Sequence, residues 1–209
     1  MGKLNTISDS KEAFFKEFPY VIPHVFRRVA DEILVELNLL SHQQNFKPNY
    51  LFSLGLTKAF KDLTTGYRPQ NHVEKLFNAL CHCNNIDPEN INSLAEEGIK
   101  STGSITLEQI KKYISDKTTL NDNIKKIFKD ENKLYNRLKI IGIYKIILEI
   151  TKKEDQEDKY INEDMSKSLA ESLGFQSERV SKDLNVYISS VEKLKQSLEL
   201  IELLNKKKK

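Results

Sequence analysis

Apolar residues along this chain recur at intervals of three and four, the spacing that lines one face of an α-helix. Phe14, Phe15 and Phe18 predict a short first helix, opened by Asp9-Ser10-Lys11-Glu12 read as a capping box with Asp9 as the cap. Pro19 and Pro23 interrupt it, and Pro23 suits the first turn of a second helix running to about Leu40. Ile22, Val25, Phe26, Val29, Ile33, Leu37 and Leu40 form its apolar stripe, and Arg27/Asp31 and Arg28/Glu32 are spaced for pairing on the opposite face. A third helix is expected from Asn49 to Thr65, with Gly66 placed to end it and Pro69 to begin a fourth through Leu76, Phe77, Leu80 and Cys81. Asp87-Pro88-Glu89 is a cap followed by proline at the first helical position. Shorter helices are expected over 91–99 and 107–114, and a central apolar one over Tyr135–Ile150. No segment alternates with the period of a strand, so the fold class is all-α, a multi-helix globular domain.

The C-terminal third reads differently. Residues 152–164 are dense in charge and poor in apolar side chains, which predicts a linker between a core domain over 1–151 and a helical region over 165–209. A short helix ends near Leu173-Gly174. Val180, Leu184, Tyr187, Val191, Leu194, Leu198 and Ile201 then alternate four- and three-residue steps, the seam of a coiled coil. The core is expected before residue 152, with the C-terminal helix separable from it.

The charge changes the picture little. Against 33 Lys+Arg stand 30 Asp+Glu, too balanced for a dedicated nucleic-acid binder. No apolar run approaches the ~20 residues of a membrane span, and the N-terminal stretch has neither export nor transit character. Cys81 and Cys83 on one helix would point about 200° apart, which disfavours a mutual disulfide. A soluble protein of a reducing compartment is the expectation. His72, Cys81, His82 and Cys83 diverge too far on a helix to converge on a metal. Asp31, Glu32 and Glu36 read as a solvated helix face rather than as acid–base groups. No phosphate loop, nucleophile elbow or zinc motif is present, so the expectation is no catalytic site, no metal and no cofactor. Lys206-Lys207-Lys208-Lys209 either complements the negative pole of the preceding helix or meets an anionic membrane surface at about 1 kcal/mol per lysine.

Several blocks carry a resemblance further. Thr6-Ile7-Ser8-Asp9-Ser10-Lys11 with Phe14, Ile22-Pro23, and Arg27 to Leu37 through Leu40-Ser41-His42 resemble the thylakoid formation protein family, photosystem II biogenesis factors of cyanobacteria and chloroplasts. Gly66-Tyr67-Arg68-Pro69 with Phe77-Asn78-Ala79-Leu80-Cys81 resembles its second block, and Tyr135-Asn136-Arg137-Leu138 with Ile141-Gly142-Ile143-Tyr144 its third. These blocks lie before the charged stretch. The resemblance implies a non-enzymatic auxiliary factor in photosystem II biogenesis or repair and thylakoid membrane organisation. Its implied partners are the thylakoid FtsH protease and photosystem II assembly intermediates. A peripheral or soluble cyanobacterial protein at the cytoplasmic side of the thylakoid is the corresponding location. Arg27, Arg28, Tyr67 and Arg68, which lie off the core stripes, are the candidate partner-binding residues. The competing reading is a helical module that binds nucleic acid or a membrane surface, unrelated to photosynthesis.

Overall fold

The structure is a computed structural model that describes residues 6–44, 46–116, 122–128, 134–156 and 158–206. Ten α-helices and no strand are found among them. Contacts divide the chain into two units, each assembled from separated segments, and the division falls within three of the helices.

The first unit comprises residues 1–47, 60–90 and 190–209. Its helices are α1 (Ile7–Glu17), α2 (His24–Ser41) and α4 (Asn71–His82), joined by the end of α3 (Tyr50–Leu63) and the second part of α10 (Ser177–Lys206). The capping box of α1 sits one turn earlier than the sequence suggested: Thr6 is the cap, its hydroxyl accepting from Asp9 N–H while Asp9 reaches back to Thr6 N–H. Threonine and aspartate three residues apart satisfy two orphan donors at once, which Asp9 with Glu12 does not displace. α1 packs on α2 and α4, and α2 packs on α4. Phe14 and Phe18 are buried there, whereas Phe15 is 48% exposed. The α2 stripe is displaced from the expected one: Phe26, Ala30, Ile33, Leu34, Leu37 and Leu40 are buried, and Val25 in the first turn is exposed. One polar pair is enclosed, Asn38 Nδ2 donating to Ser10 Oγ at 2.9 Å.

The second unit comprises residues 48–59 and 91–189. It holds most of α3, α5 (Pro88–Thr102), α6 (Leu107–Ser115), α7 (Asp122–Phe128), α8 (Arg137–Lys153), α9 (Lys159–Ser172) and the start of α10. α7 was not expected from the sequence; its seven residues offer only Ile124, Ile127 and Phe128, all buried. α8 is buried almost all round, with Asn136 capping it by accepting from Leu138 N–H. α3 and α8 cross through Gly55 and Gly142. A Cβ on Gly142 would stand 2.1 Å from the Leu51 carbonyl oxygen, and one on Gly55 1.7 Å from that of Leu138. Two backbones meet because neither residue carries a side chain.

The expected boundaries at 151 and 164 do not coincide with this division. Lys152 and Lys153 finish α8, and α9 begins at Lys159, so the charged stretch is mostly helix, with a short connection at 154–158. Leu169, Ala170, Phe175 and Val180 lie in the same buried cluster as Ile146, Ile147 and Ile150. Burial of that apolar face outweighs the charge density of the stretch joining them.

The long seam of α10 is likewise spent within the chain. Val180, Leu184, Tyr187 and Leu194 are buried, Val191 and Leu198 are half-buried, and Ile201 is 43% exposed. Tyr187 meets Tyr144 edge-on with ring centres 6.5 Å apart, and Lys145 Nζ stands 5.6 Å from the Tyr187 ring centre. These contacts leave the heptads no free seam over Val180–Leu194 for a second helix. Of the lysine run, 207–209 lie outside the described residues.

Candidate functional site

The connection between α1 and α2 is stiffened by Pro19 and Pro23, whose rings fix φ and remove donors. It holds Tyr20 against α4. The Tyr20 ring lies over the His72 imidazole, centres 4.0 Å apart and planes inclined by 34°. Phe18 supports both rings edge-on at 5.2 and 6.0 Å. Lys75 stands 5.2 Å from the Tyr20 ring centre and donates to its hydroxyl at 3.3 Å. The outer surface here is apolar and cationic. Val21 is 91% exposed, Tyr20 and Val25 are partly so, and Arg27 and Arg28 follow within one turn of α2.

Arg28 Nε donates to Glu32 Oε1 at 2.8 Å, the i,i+4 pair the spacing predicted. That bond holds the Arg28 guanidinium more firmly in its charged form, although its side chain remains 88% exposed. Arg27 is exposed beside it.

Tyr67 differs from expectation. Its side chain is fully buried, so it has no surface to offer a partner. Its ring packs on Phe26 with centres 5.0 Å apart, and burial pushes its phenol upward. The adjacent Gly66 has φ +79° and lies against Leu198, whose Cδ1 would stand 2.9 Å from a Cβ at that position. A left-handed residue with no side chain turns the chain there and admits Tyr67 beneath α2. Tyr67 is therefore a support: it holds Phe26, and Phe26 precedes the two arginines. Arg68, the next residue, is exposed. Of the four predicted residues, Arg27, Arg28 and Arg68 are presented to solvent and Tyr67 is not.

Tyr20, His72 and Lys75 were not among the sequence candidates. An aromatic residue bracketed by two prolines was the available signal, since such a segment is rigid and cannot fold back into helix.

The remaining candidates resolve into structural roles. His82 closes α4, and its Nδ1 lies 2.6 Å from Glu17 Oε1 at the end of α1. Cys81 and Cys83 are free and buried, and burial is the main cause pushing each thiol up to about 12. Thiols held so far toward the neutral form are poor nucleophiles and poor metal ligands at neutral pH. Among the described residues no group of three or more His, Cys, Asp or Glu side chains is placed to hold a metal ion. Among them, too, no helix is long and apolar enough to cross a membrane.

Comparison with known proteins is consistent with this architecture. The chain is 44% identical to Protein Thf1 of Prochlorococcus marinus (strain NATL1A) over 198 residues, 95% of each chain. It is 35% identical to Protein Thf1 of Synechococcus sp. (strain CC9902) over 202 residues, which cover 97% of this chain and 89% of the relative. The solved structure of Psb29 at 1.55 Å superposes with a TM-score of 0.78 and 26% identity, covering 97% of this chain and 96% of the other. Residues 6–209, from the α1 cap onward, match the family model described as thylakoid formation protein, and with these relatives the match shows that the chain belongs to the thylakoid formation protein family.

Proposed function

We propose that this chain serves photosystem II biogenesis or repair and thylakoid membrane organisation as a non-catalytic docking factor. It binds the thylakoid FtsH protease through the exposed start of α2, at the cytoplasmic side of the thylakoid. The observation that carries this reading is the pairing of exposed Arg27 and Arg28 with the exposed apolar residues Val21 and Val25 on a rigidly supported backbone, with Arg68 a separate exposed candidate. Such a surface has the composition of a recognition patch: cations for orientation, apolar groups for burial, and little conformational freedom left to lose. Family membership supports the thylakoid context. The balance of 33 basic against 30 acidic residues weighs against the nucleic-acid alternative.

The test is capture of FtsH from detergent-solubilised thylakoids by the full chain, compared with Arg27→Ala/Arg28→Ala and with Arg68→Ala. The wild-type chain is expected to retain FtsH and the double variant to lose most of it. Equal retention by all variants overturns the assignment of this surface. Recovery of photosystem II assembly intermediates without FtsH would move the partner but keep the surface.

A further inference from the structure

The outer face of α9 joins exposed apolar side chains to unpaired carboxylates. Tyr160 is 77% exposed and Ile161 46%. At about 100° per residue Tyr160, Asp164 and Glu171 fall within roughly 40° of one another, and Ile161 lies roughly 60° further round. The buried residues Asn162, Ser166, Leu169 and Ala170 occupy the opposite side of the helix.

Scattered exposed apolar residues are ordinary; the charge around these two is not. Over residues 154–156 and 158–171, six carboxylates stand against two lysines, a net charge of −4 within a chain whose total is +3. Glu154 accepts from Leu107 N–H, and Asp158 caps the helix by accepting from Tyr160 and Ile161 N–H. Asp155, Asp164 and Glu171 are exposed and form no ion pair among the described residues. Lys167, half-buried, shares their face without pairing with them. Such a face repels a lipid phosphate layer or a nucleic-acid backbone, and among the described residues no group of three or more His, Cys, Asp or Glu is placed to hold a metal ion. A protein segment with lysine or arginine beside an apolar residue complements both of its features. The spacing narrows the match. Asp164 lies about 6 Å and Glu171 about 16 Å beyond Tyr160 along the helix axis. An extended segment, advancing about 3.3 Å per residue, covers these intervals in about two and then about three residues.

We propose that the outer face of α9 docks an extended basic segment of a partner protein, with Tyr160 and Ile161 as the apolar anchor and Asp164 and Glu171 as the charge partners. The segment carries an apolar residue with lysine or arginine about two and about five positions from it. The carboxylates set encounter and register, and the tyrosine ring supplies the contact that holds. The face lies wholly within the second unit, so its test is separate from that of the α2 surface.

The test is fluorescence anisotropy of labelled Gly/Ser-based peptides titrated with the full chain. One peptide carries leucine with arginine two and five positions after it, a second the same residues in reverse order, and a control carries glutamate in place of arginine. An arginine peptide is expected to bind and the glutamate peptide not, with affinity falling as salt rises from about 0.05 to about 0.5 M. Tyr160→Ser/Ile161→Ser is expected to weaken binding at least ~10-fold. Lys167→Gln, which removes the cation among the carboxylates, should tighten it about twofold. Asp164→Lys/Glu171→Lys should abolish it and transfer binding to the glutamate peptide, a gain that unfolding cannot produce. Arg27→Ala/Arg28→Ala should bind as wild type. No binding of either arginine peptide, equal binding of the glutamate peptide, or unchanged binding by either α9 double variant overturns the proposal. So does self-association in peptide-free solution that Asp164→Lys/Glu171→Lys abolishes, since the occupant would then be a second copy of this chain.

Discussion

Substituting Gly142 by alanine tests the close crossing of α3 and α8. The added methyl carbon would stand 2.1 Å from the Leu51 carbonyl oxygen and 2.9 Å from its carbon, and both are backbone atoms that no rotamer change can remove. To regain ordinary contact the helices must part by more than about 1 Å, a gap that forfeits half or more of the local dispersion well. Leu51, Leu54, Ile140 and Ile143, buried in the cluster these helices build, lose contact together. Overpacking of this kind costs about 1–3 kcal/mol, and here the obstacle is backbone, so the upper end applies. Alanine recovers about 1 kcal/mol of helix propensity. The net expectation is about 2 kcal/mol of destabilisation, a fall of roughly 4–8 °C in Tm for a chain of this length. Gly55→Ala should act alike, and the double variant should lose less than the two singles together, because helices already parted accept the second methyl. Circular dichroism melts of the three variants measure this. An unchanged or raised Tm for Gly142→Ala would refute the reasoning, since propensity would then outweigh the crossing.

Two further outcomes follow from the buried groups. A chain stopped after Thr151 lacks Leu169, Ala170, Phe175 and Val180 from the second unit's cluster. It should lose its cooperative melt, and a fragment that melts cooperatively would restore the separable C-terminal region. Cys81 and Cys83, held up to about 12 from 9.0, should resist iodoacetamide at pH 8 until urea unfolds the chain. Their raised values favour the folded state fully below about pH 9, and this contribution drains away as pH rises towards 12. The urea midpoint should therefore fall between pH 8 and pH 10, more steeply than in Cys81→Ala/Cys83→Ala, and equal slopes would contradict the burial argument.

Much of the helix order was legible because local chemistry states it. Pro88 after Asp87 and Gly174 after Leu173 are signals that tertiary structure had no reason to override. Where two local solutions compete, the better-satisfied one forms: Thr6 and Asp9 make a better box than Asp9 and Glu12. α7 escaped because seven residues are too few for a period to declare itself. Which face of a helix is covered depends on neighbours, so Val25 and Tyr67 exchanged roles, the valine exposed in a first turn and the tyrosine drawn under Phe26. The exposed arginines were legible from their offset to the apolar stripe. The Tyr20–His72–Lys75 cluster was not, because it joins side chains from two elements some 50 residues apart.

The discontinuity of both units bears on how the protein is made. At a synthesis rate of about 5–20 residues per second, residues 48–189 take on the order of ten seconds to emerge. Throughout that interval the first unit is without the α10 segment from Ser190 onward, which carries Leu194, buried, and Leu198, packed on Gly66. The ribosome thus releases α1, α2 and α4 with part of their apolar surface uncovered. A nascent chain stalled before Ser190 should recruit holdase chaperones that the released protein does not, and the first unit's assembly becomes a post-translational event governed by closure of a very long loop.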